Sequence, residues 1–143
     1  MTLPWGLEDW LTDAGHRVVT KLAMRPGVLL SDRESLIYHI WLLDTEARNG
    51  GLSQYFCNAG IEQWNACVAL ASRSLPSFLA FAEHVATLLK QSPDPYLAIL
   101  NADGDGLWYD YQEMIVSELR SVAASTSHWT CSGASIRPPP EQA

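Results

Sequence analysis

The sharpest chemical pattern in the chain is the run Asn101-Ala-Asp-Gly-Asp-Gly, which leads on to Gln112. Asn101, Asp103 and Asp105 fall at the first three ligand positions of a calcium-binding EF-hand loop, and Gly106 stands at its turn. Such a loop closes around a hard cation only if its twelfth position supplies a bidentate carboxylate. Gln112 holds that position and cannot chelate as Glu would, Glu113 comes one residue late, and Asn replaces Asp at the first position. We therefore read the segment as a turn whose acids lead into a helix, with no metal.

Other chemistries have poorer parts. No Gly-x-Ser-x-Gly elbow is present, and the four histidines at 16, 39, 84 and 128 lack metal-ligand spacing. His39 lies off the apolar stripe of its helix and is expected to titrate at the surface. Three cysteines, Cys57, Cys67 and Cys131, are an odd number without paired spacing, and Cys57 and Cys67 are expected in helical core. The only Gly-rich stretch is acidic and would repel phosphate. The residues point away from an enzyme.

Carboxylates are the remaining chemistry. The formal charge is −7. Residues 1–50 hold seven acids against five bases, residues 51–100 three against two, and residues 101–143 six against two. Asp103, Asp105, Asp110, Glu113 and Glu118 follow one another with no Lys or Arg between them. An acidic chain without a basic stripe is a poor direct ligand for nucleic acid, whose affinity comes largely from phosphate neutralisation. The same five acids could bind a basic protein surface. Spread evenly, the 16 acids would stand about one per 450 Å² on a surface of roughly 7,000 Å², so such binding needs them clustered.

The elements that must position these groups are helical. With 143 residues and 48% hydrophobic content the chain suits one domain, and it has no apolar run of the roughly 20 residues that cross a bilayer. The acidic N-terminus does not resemble a signal peptide, and a cytoplasmic protein is expected. Leu3, Leu7, Trp10, Leu11 and Ala14 mark a first helix stopped at Gly15, and Val18 to Ala23 a short second one. Ser31 or Asp32 caps a helix carrying Leu36, Ile40, Leu43 and Ala47 on one stripe. Ile61, Trp64, Val68 and Ala71 mark the next helix. Pro76 then opens one with Phe78, Ala82, Val85 and Leu89. Alanines at 69, 71, 80, 82 and 86 would let these two helices approach closely. Tyr111, Met114, Ile115, Leu119 and Val122 give the last helix. The fold expected is all-α, five to seven helices in a single domain over residues 1–124, followed by a Ser/Thr/Pro-rich tail over 125–143, docked through Trp129 and Ile136.

Between the third and fourth of these patterns lies a pivot. Asn49-Gly50-Gly51 offers three residues able to take positive φ, which stops one helix, and Leu52-Ser-Gln-Tyr-Phe forms an aromatic turn into the next. Glu46, Gln54 and Tyr55 have two readings here, as turn and core residues or as the lining of a pocket that would serve a small-molecule or peptide-binding domain, or an enzyme.

The run Glu46, Asn49, Gly50, Gly51, Gln54, Tyr55, Phe56 and Asn58 resembles the signature of a small, all-helical bacterial family of DNA-mimic proteins, long catalogued as a domain of unknown function. The resemblance covers about residues 31–124. It implies a helical fold, no catalytic residues, no cofactor, and a partner that is itself a DNA-binding protein, met through carboxylates standing in for phosphates. The motif residues themselves look structural, so the acids at 103, 105, 110, 113 and 118 would carry the binding. The oligomeric state stays open, a dimer included.

Overall fold

The computed structural model describes residues 3–125, and among these it contains seven helices and no strand. They are α1 (Trp5–Met24), α2 (Asp32–Gly50), α3 (Leu52–Asn58), α4 (Gly60–Ala71), α5 (Pro76–Leu89), α6 (Pro95–Asn101) and α7 (Leu107–Ala124). The expected all-α architecture is the observed one. No helix among the described residues is long and apolar enough to cross a membrane. Trp129, Ile136, Cys131 and His128 lie outside the described residues.

α2 is the central element, and its ends are well specified. Ser31 accepts from the Glu34 N–H at 3.1 Å while the Glu34 carboxylate accepts from the Ser31 N–H at 2.9 Å, a reciprocal capping box. Leu36, Ile40, Leu43 and Ala47 are buried as their spacing predicts, joined by Ile37 and Asp44. α1 runs antiparallel to α2, since Lys21 bonds Glu34 near one end and Arg48 reaches Glu8 near the other. α7 also runs antiparallel to α2: Arg33 donates to the Ala123 carbonyl at 2.7 Å, and Asp44 meets Trp108 and Gln112. α5 lies antiparallel to α7, with Ser77 against Glu118 and His84 beside Tyr111.

Several local expectations change. α1 does not stop at Gly15 but continues to Met24. A Cβ at Gly15 would overlap the Trp41 indole, so glycine is there to let α1 and α2 touch. Cys57 is exposed on α3, whereas Cys67 is fully buried in α4. His39 is half-buried beside Gln63 (3.4 Å), and desolvation holds its pKa below the usual 6.5. Of the alanines expected at the contact of α4 and α5, Ala71 and Ala82 are buried, while Ala69, Ala80 and Ala86 face outward.

The core is held by an aromatic chain. Tyr55 and Phe56 of α3 pack on Trp64, Trp64 on Phe78 and Phe81, and Phe81 on Trp108 and Tyr111, with centroids 5.2–6.3 Å apart. Such edge-to-face and tilted pairs each add roughly 1 kcal/mol beyond area burial. They tie four helices, α3, α4, α5 and α7, to one another.

Candidate functional site

The pivot explains its own residue types. Gly51 takes φ +89°, and its N–H donates to the Ala47 carbonyl at 2.8 Å, ending α2. Asn49 and Gly50 remain helical, so only one of the three residues uses positive φ. Gly50 serves another purpose: a Cβ there would overlap the Gln54 side-chain amide. The cleared space lets Gln54 Nε2 donate to Glu46 Oε1 at 2.9 Å, and Asn58 Nδ2 donates to the same oxygen at 2.9 Å. Glu46, Gln54 and Asn58 thus bolt α3 to the last turn of α2. Tyr55 and Phe56 are buried in the aromatic chain, and Asn49 is exposed.

Tyr55 is wholly buried and its hydroxyl has no hydrogen-bond partner. Burial pushes its phenol pKa well above the ordinary range, and does the same to the Cys67 thiol, so both stay neutral. A shallow cleft of about 430 Å³ on the outer face of α1, lined by Asp13, His16, Arg17 and Thr20, includes none of the pivot residues.

The five acids of the last third divide by use. Asp105 is a cap for α3, whose own N-cap Gly51 has no side chain to give. Its Oδ1 accepts from the Ser53 N–H at 2.7 Å and its carbonyl from the Leu52 N–H at 3.3 Å. A Cβ on Gly51 would come within 2.6 Å of the Asp105 carboxyl carbon, so the glycine and this acid require each other. Glu118 plays the same part for α5, whose N-cap Leu75 offers no oxygen. It accepts from the Ser77 N–H at 2.9 Å and from the Ser77 hydroxyl. Asp103, Asp110 and Glu113 are exposed, Asp103 in the turn with φ +58° and the other two one turn apart on α7. Their carboxylates take no hydrogen bond from any of the described residues.

The partial EF-hand pattern is taken apart by the same geometry. Asp105 points at α3, and Gln112 is buried and donates to Asp44 at 2.6 Å. No group of three metal-ligating side chains comes together among the described residues.

One polar centre escapes a reading by motif. Asp44 is 1% exposed; its Oδ1 accepts from Trp108 Nε1 at 3.0 Å and from Gln112 Nε2, and its Oδ2 from Arg48 Nε at 2.9 Å. Arg48 then reaches Glu8 at 3.5 Å, so the chain of contacts joins α1, α2 and α7. The available signal was an acid on the apolar side of α2 with an arginine four residues later.

Among the described residues, seven helices whose Gly-Gly pivot is occupied by interhelical bolts and caps define a helical scaffold, with Asp103, Asp110 and Glu113 left on its surface. The model of the DMP19-like protein family matches residues 29–120, and the chain belongs to that family. No curated protein and no solved structure matches it. The matched stretch spans α2 to most of α7 and leaves α1 outside it.

Proposed function

We propose that this chain is a non-enzymatic, acidic interaction protein that binds a basic protein surface, in the manner of a DNA mimic facing a DNA-binding regulator. The observation that carries this reading is the state of the α7 surface. Asp110 and Glu113 are exposed and one turn apart, their carboxylates take no hydrogen bond from the described residues, and α7 holds no base before Arg120. Asp103 adds a third carboxylate just ahead of the helix. Asp105 and Glu118 contribute their charge to the same field while serving as caps, so the contact acids number three.

The pocket alternative has less behind it. Glu46 and Gln54 bond each other, and Tyr55 is sealed in the core. These residues work as fasteners.

The test is capture from native lysate on the immobilised protein, washed at low and then high salt. A DNA-binding protein held at low salt and released at high salt is the expected result, because exposed charge pairs are screened. The charge-reversed Asp110→Lys/Glu113→Lys variant should lose it. Undiminished capture by that variant would end the proposal.

A further inference from the structure

The outer face of the α5–α7 pair mixes apolar and acidic groups in a particular order. α5 contains no Lys or Arg at all, and α7 none before Arg120. Glu83 on α5 and Asp110 and Glu113 on α7 are exposed. Between these carboxylates runs the seam of the two helices. Tyr111 sits 6.4 Å from His84 and Glu118 bonds Ser77, so Tyr111 and Glu118 both face α5. Met114, three residues after one and four before the other, shares their side of α7. Opposite it, between Ser77 and His84, α5 presents the exposed Ala80, whose methyl is too short to cover a thioether. Met114 is left 50% exposed, and Leu79 on α5 is 44% exposed.

A surface that only imitated phosphates would have no use for this apolar floor. We propose that the seam docks a basic amphipathic helix of a protein partner. An apolar side chain of that helix lies over Ala80 against Met114 and Tyr111, while its Lys or Arg residues meet Glu83, Asp110 and Glu113. This rests on the acidic-interaction reading above and specifies the chemistry of its partner. Charge complementarity selects the occupant: a second copy of this chain in an isologous pairing would set these carboxylates against their own kind. Methionine is an adaptable contact for such a groove, and an amphipathic helix supplies both stripes at once.

The test is fluorescence anisotropy with two labelled probes at low ionic strength. One is a Leu/Lys amphipathic helical peptide of about 14 residues, which spans roughly 21 Å, the length of α5. The other is a flexible Lys/Ser peptide of equal charge and length. The amphipathic probe should bind about tenfold or more tightly than the flexible one, a gap equal to one well-buried apolar anchor. Met114→Gln should erase that advantage while leaving the helical circular dichroism unchanged, since the side chain is already half in water. Equal binding of the two probes, or an advantage that survives Met114→Gln, overturns the docking proposal and leaves the acidic reading intact. If the Glu83→Gln/Asp110→Asn/Glu113→Gln variant binds both probes as tightly as the unaltered protein, the acidic reading fails as well.

Discussion

At the scale of single residues, burial sorts the polar groups into those that hold the fold and those left for the surface. Asp44 is the only buried carboxylate among the described residues, and three donors from two helices converge on it. Replacing it by Ala strands the Trp108 and Gln112 donors in a dry interior. Asp44→Ala should therefore lower unfolding free energy by about 3–5 kcal/mol in urea titration. Tyr55 presents the opposite case, a buried hydroxyl with nothing to bond. Tyr55→Phe removes a desolvated group without losing a hydrogen bond, so stability should stay within about 0.5 kcal/mol of the original or rise. A loss well beyond that would reveal an acceptor for the hydroxyl. His39 gives a pH dependence. Burial depresses its folded pKa below 6.5, so the unfolded chain binds the proton more readily. Stability should fall as pH drops through about 6.5 toward the folded value, and His39→Gln should flatten that part of the profile in denaturant titrations at stepped pH.

At the scale of elements, two short helical starts depend on acids supplied from α7 and the turn before it. α3 begins at a glycine and α5 at Leu75-Pro76, and neither offers its own side-chain cap. Asp105 and Glu118 fill those places across 52 and 41 residues of sequence. Glu118→Ala should cost roughly 1 kcal/mol, the usual worth of a lost cap, read as a shift of the thermal midpoint. Gly51→Ala should cost more, about 2 kcal/mol or beyond, because a left-handed φ and the close approach of Asp105 are both violated. The same dependence explains why an acidic run so uniform in sequence is not uniform in use.

At the scale of the whole molecule, the aromatic chain and the Asp44 centre share α7 and so join all the described helices but α6. Cys67 lies at 0% exposure among them, whereas Cys57 is on the surface of α3. Peptide mapping after brief treatment with a thiol reagent should find Cys57 modified in the native protein. Cys67 should react only at the rate of global unfolding, its thiolate suppressed by burial.

The helix content, the cap at Ser31, the helix start at Pro76, and the core stripe of α2 were legible from the chain alone, because periodicity, capping and the preference of proline for a first turn are local properties carried by neighbouring residues. So was the place of the pivot, since Asn and Gly announce a break, but the segment expected as an aromatic turn is the helix α3, Leu52–Asn58, whose start depends on the distant Asp105. The family resemblance rested on the same local spacing. What the three-dimensional structure alone decided were the pairings between residues far apart: Gly15 against Trp41, Gly51 with Asp105, Ser77 with Glu118, and Asp44 with Trp108 and Gln112. In sequence, a glycine that stops a helix and one that admits an indole are the same residue, and a capping carboxylate is the same as a free one. Only the partner brought up by tertiary packing distinguishes them.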